Sequence, residues 1–246
     1  MNNASDVALS FMVAQSRAMD VTATNLANTT TPGYRAERML FSDWLARQHG
    51  GTPPGGGTIV YTQDRNTYRD RQAGQFTQTA NPLDLAISGE GFFTVLTPAG
   101  PRLTRAGHFT LGQDGMVVDE QGNALLDPEG RKLMLAAADT RVTVAGDGTI
   151  SSENGQIGKV GIVAASDPNR LQAEGSRLLN AGGTSTSPVA TPRIVQGSVE
   201  QSNVQPTAEV TRMMNDLRTF QMLAQFLQAE SDRQQSAIEK ITQQHA

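Results

Sequence analysis

From Thr207 to Gln243 the sequence contains neither proline nor glycine. Along this stretch Met213, Leu217, Phe220, Ala224, Leu227, Ser231, Gln234, Ile238 and Ile241 follow one another in steps of four and three. That spacing is the seam of a coiled-coil-like helix. Pro206 stands just before it, Thr207 can cap it, and Glu209 places a negative charge in the first turn, where the helix dipole favours one. At a rise of ~1.5 Å per residue the helix spans roughly 50 Å, well beyond the ~10 to 14 residues usual in globular domains. A helix of this length requires a partner along it.

A second helix is predicted over residues 5–29. Ser5 suits its N-cap and Asp6 its first turn. Val7, Phe11, Ala14, Ala18, Val21, Asn25 and Asn28 again step by four and three, with Leu26 beside them. The residue before Pro32 is disfavoured from helical geometry, and Pro32-Gly33 is a turn signal, so the helix ends before Thr31. Both seams are narrow and the first is alanine-rich. Packed on each other, the two helices would leave apolar surface uncovered, and such surface marks interaction sites. The alternative is that both helices lie on the body between them.

That body differs in kind. From about Gln75 to Gln201, short apolar runs are separated by Asp114-Gly115, Gln121-Gly122, Asp147-Gly148 and Asn154-Gly155. Such dipeptides favour tight hairpins. Strands are predicted at 92–96, 109–111, 116–118, 133–136, 142–144 and 160–164, giving an antiparallel β-domain. Residues 47–74 hold the stretch from His49 to Gly57, rich in glycine and proline, followed by a polar run. Composition makes this region a connector, either a linker or an extended arm. The predicted class is mixed α and β: a helical domain from 1–46 and 202–246, a connector at 47–74 and a β-rich domain at 75–201.

Composition narrows the partners. A net charge of −4 argues against a nucleic-acid surface. The absence of cysteine removes disulfides and thiolate metal sites. Aromatic residues make up only 5% of the chain, so the core is thin and part of the chain is not expected to bury its apolar surface within a single subunit. The first twenty residues do not read as a Sec-type signal, and no apolar run reaches the ~18 to 20 residues of a membrane-spanning helix.

Four motifs lie in order along the chain. Asn25, Leu26, Ala27 and Asn28 lead into Thr31, Pro32, Gly33, Tyr34 and Arg35. Asp84 precedes Gly89-Glu90-Gly91-Phe92-Phe93, Thr104-Arg105-Ala106-Gly107-His108-Phe109 follows, and Glu200, Ser202, Asn203 and Val204 close the set. In these motifs the chain resembles the flagellar rod and hook family, whose first motif reads N-x-x-N-L-A-N-x-x-T-P-G-[FY]-[KR]. Thr22 stands where that pattern often has Asn. With the helix placement, the resemblance covers nearly the whole chain. Leu217 and Gln221 depart from the last-helix pattern of the distal rod type, which inclines the chain to the proximal type over the distal or hook type. The resemblance implies a helical tube with terminal helices inside and β-domains outside. It implies export by the flagellar type III apparatus and placement in the basal body across the periplasm. Its partners would be copies of the chain and related rod subunits, with no cofactor, nucleic acid or small-molecule substrate. The seam residues Val7 to Asn28 and Met213 to Ile241 would form the assembly interface, ordering when the subunit is incorporated.

The chemistry-bearing residues have plainer readings. His108 suits a strand residue beside a turn better than a general base. Asp84 with Glu90 could mimic a glycosidase pair, but both sit at turns. Asp114, Asp119 and Glu120 lack the ligand order of an EF-hand. Gly89-Glu90-Gly91 lacks the third glycine of a dinucleotide fingerprint. Met213, Met214 and Met222 are expected in a helix core. An exported enzyme or carbohydrate-binding β-domain with oligomerising helices is the competing reading; it would gather titratable groups in one β-domain pocket.

Overall fold

A computed structural model of the chain describes residues 3–47, 58–136, 139 and 141–244. It is mixed α and β, as expected, and divides into two compact units. The first holds helix α1 (Asn3–Ala27), an antiparallel hairpin of β1 (Glu37–Arg47) and β2 (Thr58–Arg69), and helix α2 (Pro206–Gln244). The second holds Asn28–Ala36 and Asp70–Val204. Pro206 opens α2 from inside, in the first turn, where a missing N–H removes no helical hydrogen bond.

The hairpin corrects the connector reading. Residues 58–69 are strand, paired with β1 from Glu37 opposite Arg69 to Arg47 opposite Thr58, with a bulge between Leu40 and Phe41. The glycine-rich part from His49 to Gly57 lies outside the described residues. A lone two-stranded ribbon is marginal in water; here α1 packs along both strands. Polar residues in β2 obscured it, because a ribbon takes its stability from a partner strand and a covering helix rather than from an alternating apolar face.

The two helices run antiparallel: Gln15 meets Asp216, while Thr22 and Asn25 share a cleft with Arg212. The covered seam of α1 is Ala8, Phe11, Gln15, Ala18, Thr22 and Asn25, with Ala14 also buried. On α2 it is Glu209, Met213, Asp216, Phe220, Leu223, Leu227, Glu230 and Gln234. Steps of four and three hold, yet alternate positions differ from the apolar reading. Leu217 and Ala224 are exposed, while Val7, Val21 and Leu26 are half-buried like Phe11 and Ala18. Polar residues take the vacated positions because each finds a partner: Gln15 Nε2 donates to Asp216 Oδ1 at 2.7 Å, and Thr22 Oγ1 donates to Ala18 O at 2.9 Å. Ile238 and Ile241 have side chains outside the described set.

The second unit is built on a nine-stranded antiparallel sheet. Phe92–Thr97 lies at its centre, between Gly100–Thr104 and Ala124–Leu125, and also pairs with Ile162–Ala165. Smaller pairings join Leu85–Ile87 to Ile194–Gln196 and Phe76–Gln78 to Ser198–Glu200. The core gathers Leu85, Ile87, Phe93, Val95, Phe109, Leu125, Ile150 and Ile162. Phe93 and Phe109 meet edge to face at 5.3 Å, the arrangement ring quadrupoles favour. Five of the predicted runs contain strands, but 133–136 does not: Lys132 and Met134 make isolated bridges only. Pairing on each side of that run reaches single residues, too few to sustain a ladder.

Candidate functional site

The four sequence motifs meet at one buried carboxylate. Glu200 stands at the end of the strand Ser198–Glu200, and its side chain is 1% exposed. Arg105 Nε donates to Glu200 Oε2 at 2.9 Å, and Arg35 Nη2 donates to Oε1 at 3.2 Å. The rest of the Arg105 guanidinium is consumed by backbone: Nη1 donates to Gly91 O at 2.6 Å, and Nη2 to Gly89 O at 2.9 Å. Burial pushes Arg105 down to about 10, the charge of Glu200 works against that fall, and Arg35 adds to it. A buried ion pair is costly to leave half-made, so the motif glycines and acid form a set.

The backbone joins the same node. Gly33 N donates to Glu200 O at 2.7 Å. Gly33 sits at φ +71°, and a Cβ there would come within 2.4 Å of the Arg105 carbonyl carbon, so only glycine fits. Asn203 Oδ1 accepts from Ala36 N at 2.7 Å, and its Nδ2 donates to Gln72 O at 2.9 Å. Tyr34, Ala36 and Val204 pack as a small cluster. Phe92 and Phe93 are buried, and Ser202 Oγ accepts from Val204 N. Thr31 and Pro32 are half-buried in the turn where Thr31 Oγ1 donates to Asn28 Oδ1 at 3.0 Å. Ala27 is exposed.

In the helical unit the specialised residues secure the hairpin. Asn25, 1% exposed, bonds the main chain of Glu37 twice: Nδ2 donates to Glu37 O at 2.9 Å and Oδ1 accepts from Glu37 N at 2.8 Å. Asn25 thus imitates a neighbouring strand, a role that its place in the helical spacing did not suggest. Fully buried Glu209 accepts from Arg38 Nη1 at 2.6 Å and from Arg212 Nη1 at 3.2 Å. A cleft of about 260 Å³ lies beside them, with Thr22, Arg212 and Asp216 in its wall.

The candidate chemical residues are spent on structure. Asp84 accepts from Thr79 Oγ1 at 2.6 Å and Asn81 Nδ2 at 2.9 Å, and His108 Nδ1 lies 2.6 Å from its Oδ1. Glu90 is exposed. Asp119 accepts from the amides of Gln121 and Asn123 in a turn, and Glu120 pairs with Arg177. Among the described residues no group of three His, Asp or Glu is placed to hold a metal. Met214 and Met222 are exposed rather than in a core, because they lie off the covered face of α2. Sequence reasoning missed Gln15, Arg38 and Asp216, which carry no motif; Arg105 lay within a quoted motif, where an arginine fixed between a strand and a glycine was the available signal.

Two terminal helices, a ribbon at their base and an antiparallel β unit held at a buried arginine–glutamate node define a class of subunit organised around its own chain ends. Three family descriptions match: "Flagella basal body rod protein" over residues 6–35, "Flagellar hook protein FlgE/F/G D1 domain" over 86–152, and "Flagellar basal body rod FlgEFG protein C-terminal" over 195–240. Flagellar basal-body rod protein FlgF of Caulobacter vibrioides is 32% identical over 98% of both chains. FlgF of Mesorhizobium japonicum is 30% identical over 96% of both, and FlgG of Bacillus subtilis 30% identical over 82% of this chain and 85% of its own. The chain belongs to the flagellar basal-body rod protein family.

Proposed function

We propose that the chain is a structural subunit of the basal-body rod, of the proximal kind, which polymerises with copies of itself and with related rod subunits. It works by filling a place in a helical tube, and it performs no substrate chemistry. On this reading it leaves the cell interior through the flagellar export apparatus without a cleaved signal and takes its place across the periplasm. The seam residues at both chain ends, together with the exposed positions beside them, contact neighbouring subunits.

The observation that carries this reading is the uncovered side of the helices. Val210, Met214 and Leu217 form an exposed stripe at helical spacing on α2, and Leu9 and Val13 form another on α1. At 39 residues against 25, α2 is also longer than the helix that covers it. Exposed apolar stripes of this kind call for another chain, and heterologous contacts between different patches generate helical assemblies. The full-length relatives named as FlgF support the proximal kind. Deleting residues 5–29 is expected to abolish rod assembly and motility while the β unit still folds. Retained motility in that strain would overturn the assignment.

A further inference from the structure

Counted from the bond between Gln15 and Asp216, the antiparallel helices put Ala8 level with Leu223, Phe11 with Phe220, Ala18 with Met213 and Thr22 with Glu209. Apolar packing alone does not hold that register. Sliding α1 by seven residues, about 10 Å, toward the C-terminus of α2 sets Phe11 against Leu227 and Ala18 against Phe220. Each still meets an apolar partner, because both seams step by four and three. Cover is not lost either, since α2 has 39 residues and α1 only 25. Nor does the ion pair of Arg38 decide. Asp216 lies seven residues after Glu209, so the slide brings it to the same level with the same charge.

Gln15 does discriminate. It is buried, and its Nε2 donates to Asp216 Oδ1 at 2.7 Å. After the slide it stands against Leu223, which accepts no side-chain hydrogen bond, and a buried amide left without a partner is costly. The pair is not built for strength. Asp216 Oδ2 is closed off from solvent and has no hydrogen-bond partner, a burden that an apolar residue in its place does not carry. We propose that Gln15 and Asp216 form a register lock. The lock holds α1 and α2 in one of two packings that their apolar seams accept almost equally, and it does so at a cost in stability. It also sets how far α2 extends past α1. All of this happens within one chain, so the lock stands whether or not the rod reading does.

The chain contains no cysteine, so introduced thiols report the register without background. In the full-length protein, Ala8→Cys with Leu223→Cys marks the observed register, and Ala8→Cys with Glu230→Cys marks the slipped one. Each pair is treated with dibromobimane in dilute solution, and the intramolecular bridge is quantified by mass spectrometry. With Gln15 and Asp216 in place, the first pair should bridge and the second should yield many-fold less. Gln15→Leu combined with Asp216→Leu should raise the thermal unfolding midpoint of the helices, followed by ellipticity, and bring the two yields close together. Gln15→Asp combined with Asp216→Gln rebuilds the bond with donor and acceptor exchanged, and should restore the preference for the first pair. A leucine variant that still bridges the first pair alone shows that the hairpin tether sets the register, and overturns the lock. So does a leucine variant with a lowered midpoint, or an exchanged variant that bridges both pairs.

Discussion

Glu200 illustrates how much a single side chain can hold. It neutralises a buried arginine, meets a second, and accepts a glycine amide through its backbone. Glu200→Gln leaves Arg105 buried without its counter-charge, and about 3 to 5 kcal/mol of stability should be lost, measured as a shift in the guanidinium unfolding midpoint. At Gly33 the constraint is steric. Gly33→Ala puts a methyl against the Arg105 backbone at positive φ, so the same measurement should show a loss of more than ~1 kcal/mol. The pH response also belongs at this scale. The Ser152 hydroxyl and the Asn154 amide hold Asp139 below the usual carboxylate range, and Arg102 does the same for Glu174. Depressed carboxylates bind fewer protons in the folded state, so their stabilisation is complete above the unfolded pKa and disappears as pH falls through the folded one. Unfolding midpoints should therefore stay level from neutral pH to about pH 5 and decline below ~4. A decline beginning near pH 6.5 would instead implicate histidine.

Among the elements, the join between α1 and the hairpin is the most specific construction. Asn25→Ala removes two buried hydrogen bonds to Glu37 and strands that residue's amide and carbonyl, so about 2 to 3 kcal/mol should be lost from the helical unit. Loss of ellipticity at 222 nm on heating measures it. In the free chain, amides of residues 5–29 should exchange within the fast fraction while those around Phe93 and Phe109 resist, because α1 has only narrow cover. Strong protection across α1 in dilute monomer would show the helices self-sufficient. These elements also mark how far the sequence could be read. Period and proline placement located both helices to within about two residues, and apolar runs located Phe92–Thr97 and Phe109–Leu111. The hairpin escaped because its pairing partner is distant and its residues polar. Part of the covered face of α2 escaped because half-buried Asp216 and buried Glu209 are held there by hydrogen bonds and ion pairs, which hydrophobicity does not register.

For the molecule as a whole, the motifs read as signatures of ancestry turn out to be a mechanical node. Segments as distant as Gly33, Gly91, Arg105 and Glu200 meet around one carboxylate, so their order along the chain carried no hint of their convergence. The helices, by contrast, keep apolar residues outward, which the proposed function assigns to contacts with neighbouring subunits. The most direct test is a density map of isolated basal bodies with this chain traced in it. The account predicts the chain in the rod, with Val210, Met214 and Leu217 of α2 packed against the helices of adjacent subunits. A rod in which that stripe faces open solvent, or in which this chain has no place, would contradict it.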